Sequence, residues 1–451
     1  MQTRSIIFMA VLVNLLFSYL MLLYNQPVNV DGILYIHAAQ AYLKDGLQGA
    51  AQIYAWPFYP VLMAKISTLF HLSLLNTGYI LNGFFTSILI IFFILALNTF
   101  ENSPTVLLWG AAVILLFPAL NHDRYNIVRD IGYYAFFMAS LWGYIKFLQT
   151  EKFIYALFFI FAIILASLFR IEGIIFLILI PVITLVVKYD FKLILINIIL
   201  SIAGIFLLRH HLTFGRIPEL IAYINPHQLF AFFQPHVCNL KNYLGINGQD
   251  DACVFLLSGL AGILIVSFLT TYGIFSSLLL AYGIKTRLLP ENKSAMQSLI
   301  IYIVINIIIL AVFLLHQLFM NWRYVFPVVL ISLLFLPGIL VRLNKLWIGV
   351  IYLLCNTASS FGQFGPSNSY IVDAGQWVAH NTPPNTKIYA SDITAAFYAE
   401  RTEANTINKA DYIIIINKIH SPSQIPFNTQ PVVSFHNKRG DTAYIFKHST
   451  S

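Results

Sequence analysis

Charged residues are scarce in this sequence: they make up 10% of its 451 residues, whereas 59% are hydrophobic and the mean hydropathy is +0.77. A water-soluble protein could not cover its surface with so few charges. The same composition excludes a disordered chain, which would be polar. We therefore interpret the sequence as that of a polytopic membrane protein.

Cysteine is also rare, and the 3 cysteines exclude a disulfide-dense secreted scaffold. Cys238 and Cys253 fall in or next to one predicted external loop, where a disulfide between them would be allowed. The alternative is that Cys253 begins the next helix as a packed thiol. Cys355 lies in an apolar helix, and no Cys/His spacing typical of a zinc site occurs.

Long uncharged runs predict membrane-spanning helices, because about 20 apolar residues in a helix match a hydrocarbon core about 30 Å thick. The first run, Ser5–Leu23, lacks a small-residue cleavage pattern, so we expect a retained anchor and not a removed signal peptide. Eleven spans are predicted, near residues 5–23, 74–97, 104–120, 131–148, 153–169, 172–187, 192–208, 254–281, 296–316, 324–341 and 345–361.

The basic residues behind the net charge of +8 are unevenly distributed between the two sides of the predicted membrane domain. The short external connections hold only Arg124, Arg129, Arg170 and Arg323, whereas the predicted cytoplasmic ones hold ten basic residues. This bias obeys the positive-inside rule and places the N-terminus in the cytoplasm and, after an odd number of spans, the C-terminus outside. The basic excess is thus an orientation signal and does not indicate nucleic-acid binding. The ten are Arg4, Lys146, Lys152, Lys188, Lys192, Lys285, Arg287, Lys293, Arg342 and Lys345.

Polar segments divide the chain into two predicted domains. Residues 1–361 form a transmembrane domain with external loops at 24–73 and 209–251, and the first loop predicts two short surface helices with a stop at Gly46. Residues 362–451 alternate helix and strand signals, which predicts a small extracytoplasmic α/β domain. Its predicted elements are a helix around Tyr370–His380 and strands at Lys387–Ala390, Asp411–Asn417, Pro431–Phe435 and Thr442–Phe446.

Ionisable side chains are nearly absent from the span interiors and gather at their external ends, where function is expected. Asp31, just beyond the first span, is either the N-cap of the next helix or a working carboxylate, and the two roles are compatible. Asp130 is either half of a solvated ion pair with Arg129 or a carboxylate that converges with Asp31 on one cavity. A converging pair would orient a nucleophile or hold a divalent cation.

Two arginines stand at the predicted external ends of other spans. Arg170-Ile171-Glu172-Gly173 leaves almost no room for a loop, and Asn321-Trp322-Arg323-Tyr324 begins a helix. The first motif fits a helix-hairpin turn with its charges at the surface, and Arg323 in the second fits interfacial packing beside aromatic residues. Because a guanidinium fork matches phosphate oxygens, several arginines beside a carboxylate pair indicate an anionic substrate at the membrane surface.

Five short motifs spread over nearly the whole chain carry a family resemblance. They are Asp31-Gly32-Ile33-Leu34-Tyr35, Trp56-Pro57-Phe58-Tyr59-Pro60, Arg124-Tyr125 with Asp130, Leu168-Phe169-Arg170-Ile171-Glu172-Gly173, and Arg323-Tyr324 with Pro327. Together they resemble the GT-C superfamily of polyprenyl-phosphate-sugar-dependent glycosyltransferases, in the style of protein O-mannosyltransferases and aminoarabinose transferases. Unlike the protein mannosyltransferases, this sequence has no second carboxylate beside Asp31, and Pro57 is followed by Phe58 instead of another proline.

The resemblance implies an α-helical, GT-C-like polytopic fold with a small C-terminal α/β domain, in the bacterial inner membrane. It implies transfer of a hexosyl or pentosyl unit, with inversion, from a polyprenyl-phosphate donor to an envelope lipid, glycan or protein outside the cytoplasm. Asp31 would be the base, and Asp130 would support it or share a divalent metal ion with it. A transporter or flippase is the main rival, and a scaffold without catalysis is the third alternative. The expected substrate contacts are Lys65, Arg124, Arg170, Arg216 and Arg323.

Overall fold

The computed structural model describes residues 2–23, 27–187, 191–212, 225–290, 292–362, 368–419 and 430–448. Up to residue 362 the described chain is almost entirely helical. The helices there are α1 (Thr3–Leu22), α2 (Val30–Ile53), α3 (Phe58–Phe70), α4 (Leu74–Phe100), α5 (Pro104–Leu115), α6 (Pro118–His122), α7 (Asp130–Thr150), α8 (Phe153–Phe169), α9 (Glu172–Val187), α10 (Phe191–Leu212), α11 (Pro226–Lys241), α12 (Ala252–Tyr272), α13 (Ile274–Lys285), α14 (Lys293–Gln317), α15 (Trp322–Leu333), α16 (Leu336–Arg342) and α17 (Leu346–Phe361).

Within the described residues, 5 helices are long and apolar enough to cross a membrane, counting α15 and α16 together, and shorter apolar helices accompany them. The protein is therefore an α-helical integral membrane protein. The sequence-based count of eleven spans is not confirmed. The predicted span 254–281 is wrong as a single helix, because the chain breaks at Gly273 into α12 and α13.

The segment predicted to be the first external loop contains the two helices predicted for it, α2 and α3. Gly46 has a non-helical backbone, with φ +69° and ψ −155°, so the helical stretch that begins at Val30 stops there as predicted and a second stretch continues to Ile53. Glycine adopts this positive-φ conformation without a steric penalty.

Helix α7 lies at the centre of the bundle and packs against α4, α8 and α14. Its apolar side chains are buried around the whole helix, which is the pattern of a fully enclosed element. Asp130 is its first residue, so this carboxylate is fixed at one end of the bundle axis.

The other end of the bundle has its own polar contacts. Arg342 at the end of α16 pairs with Glu101 just after α4, and the Asn292 side chain donates to the Thr99 carbonyl over 2.9 Å. Gln149, near the end of α7, is also close to the Thr99 carbonyl, at 3.5 Å. Asp130 and these groups therefore mark opposite ends of the membrane part.

The C-terminal part is a mixed sheet with helices on it. The elements are α18 (Ser369–Asn381), β1 (Lys387–Ala390), α19 (Ile393–Ala399), β2 (Thr402–Glu403), β3 (Tyr412–Asn417), β4 (Val433–His436) and β5 (Thr442–Lys447). The strand order is β2-β1-β3-β5-β4, with β1 parallel to β2 and β3, and β5 antiparallel to β3 and β4. The predicted helix and four strands are confirmed to within about two residues, whereas α19 and β2 were not predicted.

This sheet domain touches the membrane part through α19 and the start of α2. The backbone N of Val28 donates to the Tyr398 hydroxyl over 3.3 Å, and the rings of His37 and Phe397 lie 6.0 Å apart. The contact leaves a cavity between the two parts. All three cysteines are free and exposed, and Cys253 lies in the first turn of α12, so the Cys238–Cys253 disulfide is not formed.

Candidate active site

The start of α2 is fastened to the loop between α6 and α7. The side chain of Asn29 donates to the Ile127 carbonyl over 3.2 Å and accepts from the Ile127 backbone N over 2.8 Å. Asn29 also occupies the N-cap position of α2. The N-cap interpretation of Asp31 is therefore wrong: Asp31 lies in the first turn, and its side chain points to another partner.

Gly32 allows this close approach. A Cβ atom at Gly32 would lie 3.0 Å from the Ile127 Cβ and 2.8 Å from the Asn29 Oδ1. Ile127 is enclosed from the other side by Gly78 of α4, where an added Cβ would lie 2.8 Å from its Cδ1. Asp31 thus supplies a carboxylate, and Gly32, which has no side chain, lets the first turn of α2 pack closely against the loop before α7.

Arg323 joins the two carboxylates singled out in the sequence. Its Nη1 lies 2.5 Å from Asp31 Oδ2 and 3.7 Å from Asp130 Oδ2. The Tyr134 hydroxyl donates to the Arg323 carbonyl over 2.7 Å, which ties the first turn of α15 to α7. Asp31 and Asp130 therefore do converge, with a guanidinium between them.

Arg170 holds Asp130 from the other side. Its Nη1 lies 2.5 Å from Asp130 Oδ1, and its Nη2 lies 2.6 Å from Glu172 Oε1. Arg170 is buried and stacks over the Tyr324 ring at 4.6 Å. Burial alone would lower the pKa of Arg170, but the Glu172 and Asp130 carboxylates raise it well above its ordinary value, so the cation persists. The surface-turn interpretation of Arg170-Ile171-Glu172-Gly173 is wrong.

The alternative pairing of Asp130 with Arg129 is also wrong. Arg129 donates from Nη1 to the Phe169 carbonyl over 3.1 Å and lies over the Tyr54 ring at 5.2 Å. Asp130 itself is buried and not solvated. Its partners are distant in the chain, so neighbouring residues alone could not identify them.

Two of the other predicted contacts, Arg124 and Lys65, are not part of this cluster. Arg124 is buried and bonds to Asn121 Oδ1 over 2.6 Å, to Ser18 Oγ over 3.1 Å and to Asn14, so it ties α1 to the α6–α7 loop. Lys65 is exposed on α3 and forms no ion pair with a residue in the described ranges. Arg216 lies outside the described residues.

Asp123 is a buried acid to which the sequence analysis assigned no role. It is 1% exposed, and neither carboxylate oxygen has a hydrogen-bond partner within the described part of the chain. His122 Nδ1 lies 3.7 Å from Asp123 Oδ1. Burial raises the pKa of the Asp123 carboxyl, because the ionised form is poorly solvated there. The density of ionisable residues around it was the only signal in the sequence.

A cavity of about 830 Å³ opens above this cluster. On the membrane side it is lined by Asp31, Arg323 and His122. On the side of the sheet it is lined by Asp392, Lys418 and Arg439. Asp31 is thus accessible to a ligand of considerable size, whereas Asp130 is buried.

The arrangement of the carboxylates does not suit a bound metal ion. The described residues contain no group of three or more His, Cys, Asp or Glu side chains placed to hold a cation. The position between Asp31 and Asp130 is taken by the Arg323 guanidinium, and Asp130 is also paired with Arg170. We therefore derive no step through a metal.

The fold is similar to solved membrane glycosyltransferases. An oligosaccharyltransferase from Archaeoglobus fulgidus, in complex with Zn and sulfate, matches with a TM-score of 0.55 at 12% identity, over 91% of this chain and 68% of that chain. The AglB oligosaccharyltransferase of the same organism, with an inhibitory peptide and a dolichol-phosphate, matches with a TM-score of 0.56 at 13% identity, over 92% and 69%.

ArnT from Cupriavidus metallidurans, bound to undecaprenyl phosphate, gives a TM-score of 0.44 at 12% identity over 97% of both chains, which is too low to support an argument. No protein-family model and no curated protein matches the sequence. At these identities the similarity shows the fold. The GT-C-like membrane fold implied by the sequence motifs is therefore confirmed.

Proposed function

We propose that the protein is a glycosyltransferase that moves a hexosyl or pentosyl unit from a polyprenyl-phosphate donor to an envelope lipid, glycan or protein. The observation that carries this proposal is the chain Asp31–Arg323–Asp130 at one end of a membrane bundle with this fold, in which Asp31 and Arg323 line a large cavity. A carboxylate for the acceptor and a guanidinium for a phosphate are the groups that such a transfer needs.

In the proposed reaction, the acceptor hydroxyl attacks the anomeric carbon while Asp31 takes the hydroxyl proton. A new C–O bond forms, the bond from the anomeric carbon to the phosphate oxygen breaks, and polyprenyl phosphate leaves with the electron pair. Displacement from one side inverts the anomeric centre. Because a phosphate is a weak base, it needs charge stabilisation and no strong acid, and Arg323 lies where it can provide this.

Asp130 and Arg170 act as positioning residues in this scheme. Arg170 is occupied by Asp130 and Glu172 and is buried, so it holds Asp130 in place instead of contacting phosphate. Asp130 in turn orients Arg323. We place residues 1–361 in the bacterial inner membrane as the transferase domain. The cavity and the 362–451 domain then lie on the extracytoplasmic side and the N-terminus in the cytoplasm.

The test is transfer from a radiolabelled polyprenyl-phosphate sugar in proteoliposomes. We expect Asp31→Asn to lose at least about 100-fold in turnover, since removal of a general base typically costs 10²–10⁴. Asp45→Asn is the matched control, because Asp45 is an exposed acid on the same helix. Turnover of Asp31→Asn equal to that of Asp45→Asn would reject the base role. Donor movement across the bilayer without transfer would favour the flippase alternative.

A further inference from the structure

The wall of the cavity opposite Asp31 is built by the sheet domain. Lys418 follows directly after β3, and Arg439 lies in the turn between β4 and β5. Both line the same cavity as Asp31 and Arg323. A ligand that fills the cavity therefore meets the membrane helices at one end and these two cations at the other.

The sheet side of the cavity carries two cations, Lys418 and Arg439, against one acid, Asp392. Lys418 and Arg439 are exposed, and neither forms an ion pair with any residue that the structure describes. The acids that line the cavity have other partners: Asp31 is bound by Arg323, and Asp392 accepts from the Thr394 backbone N over 2.8 Å at the start of α19. The wall thus offers two cations to an incoming anion.

The backbone around these cations is well fixed. Asn437 Oδ1 accepts from the Arg439 backbone N over 2.9 Å and from the Asp441 backbone N over 3.1 Å. Asp441 Oδ1 accepts from the backbone N of Ile419, the residue after Lys418, over 3.0 Å. The turn and the end of β3 are therefore tied together, which keeps Lys418 and Arg439 on one face. Fixed cations lose less conformational entropy on binding than cations on a free tail.

We propose that Lys418 and Arg439 bind an anionic group, a phosphate or a carboxylate, on the acceptor. This inference rests on the proposed transferase function, because it names the chemical class of its acceptor. The donor phosphate has the same chemistry, but its isoprenoid tail is held in the bilayer, so it is placed at the helix ends beside Arg323. The acceptor, which must approach Asp31 from the water side, is the ligand that meets the sheet domain.

The test uses the full-length protein in nanodiscs and two soluble probes, methyl α-glucoside 6-phosphate and uncharged methyl α-glucoside. We expect the phosphorylated probe to bind at least about tenfold more tightly to the wild type, since charge-assisted hydrogen bonds are about twice as strong as neutral ones. The double variant Lys418→Gln, Arg439→Gln should bind both probes equally. Arg439→Lys should keep most of the preference, and Lys438→Gln, a cation of the same turn that does not line the cavity, should behave as wild type.

Titration with undecaprenyl phosphate distinguishes an anionic group on the acceptor from the phosphate of the donor. It also shows whether the double variant is folded. We expect its affinity to be the same in the wild type and the double variant. An undiminished preference for the phosphorylated probe in the double variant, or no preference in the wild type, would overturn the inference. A parallel loss of undecaprenyl phosphate affinity would also overturn it, by assigning the pair to the donor. Full transfer activity of Asp31→Asn would reject the proposed function and leave probe binding unchanged.

Discussion

At the scale of single residues, the site depends on Arg323, which is shared between two acids. The same Nη1 atom faces Asp31 and Asp130, and the Nε atom has no hydrogen-bond partner in the described ranges. One carboxylate oxygen of Asp31 is bound by Arg323. In the proposed reaction, a donor phosphate that attracts Arg323 would release this oxygen for the acceptor hydroxyl.

We predict that Arg323→Gln lowers kcat/KM for sugar transfer by about 100-fold or more, the usual cost of removing one group that stabilises developing negative charge. Arg323→Lys should recover part of the loss, because an ammonium keeps the charge but not the fork. Steady-state transfer kinetics measure the loss in Arg323→Gln and the recovery in Arg323→Lys, and titration with undecaprenyl phosphate measures how each variant binds the lipid phosphate. The control is Arg342→Gln, which removes an arginine–glutamate pair at the opposite end of the bundle. Equal kinetics for Arg323→Gln and the control would contradict the assignment.

Asp123 gives a second residue-scale prediction, about stability and pH. Its raised pKa means that the folded protein binds a proton more tightly than the unfolded chain, so stability falls as pH rises above the ordinary Asp pKa of about 3.9. Asp123→Asn removes the buried charge, and we expect about 1–3 kcal/mol of stabilisation at pH 7. The difference from wild type should shrink as the pH falls toward the ordinary Asp pKa, because a growing fraction of Asp123 is then protonated.

Thermal unfolding in detergent between pH 4 and pH 8 checks this prediction. The wild-type Tm should fall across the range relative to that of Asp123→Asn. Asp45 is an exposed acid, so the Tm of Asp45→Asn should change with pH as the wild-type Tm does. Destabilisation by Asp123→Asn at pH 7 would show that the carboxylate has a stabilising partner in the ionised form.

At the scale of elements, the sequence predicts helices and strands better than their interruptions. The hydrophobic run that forms α4 and the strand signals at Lys387–Ala390 match the structure, because an apolar run and strand-forming residues are both visible in the local sequence. The break at Gly273 and the short helix α19 were not predicted. A glycine within an apolar run is compatible with a continuous span, and α19 is stabilised by packing on α18, which no local pattern reveals.

The site shows the same limit. Motif position indicated Asp31, Asp130 and Arg323, because ionisable residues are nearly absent from the predicted span interiors and these three stand at predicted external span ends. Their partners were not predictable: Arg170 meets Asp130 from 40 residues away, and Asp31 meets Arg323 from 292 residues away. Arg124 has the same charge as these arginines but is used to fasten α1.

The contact between the first turn of α2 and the loop before α7 gives a prediction for an element. Gly32→Ala places a Cβ within 3.0 Å of atoms of Asn29, Val28 and Ile127, so the turn that carries Asp31 must shift. We expect a loss of about 1–3 kcal/mol in stability, the usual cost of overpacking, and a fall in transfer rate. Thermal unfolding and the transfer assay measure these.

Two further variants make the result specific. Gly259→Ala on α12 adds a Cβ where nothing lies within 4 Å and should not destabilise the protein. Val28→Ala removes the Cγ1 atom that would lie 2.9 Å from the added Cβ, so it should restore part of the activity lost in Gly32→Ala. Additive losses in the double variant would show that Gly32 and Val28 are not coupled.

At the scale of the whole molecule, the proposal requires that the cavity end faces outward. Helix α7 runs from Asp130 at the cavity to Thr150 at the other end, so its 21 residues span about 30 Å at 1.5 Å per residue. Phe232 of α11 stacks on His316 at 4.3 Å, near the end of α14 that leads to Arg323. Cys238 on α11 and Lys447 on β5 therefore belong to the cavity side, and Lys152 belongs to the opposite side.

We predict that a membrane-impermeant maleimide labels Cys238 in intact cells when Cys253 and Cys355 are replaced by serine. In a cysteine-free background, Lys447→Cys should label equally well, whereas Lys152→Cys should label only after the membrane is permeabilised. The physical reason is the basic excess at the Lys152 end, which keeps that end in the cytoplasm. The reverse pattern would place Asp31 and the sheet domain in the cytoplasm, where an extracytoplasmic acceptor could not reach the carboxylate, and the proposed transfer would be rejected.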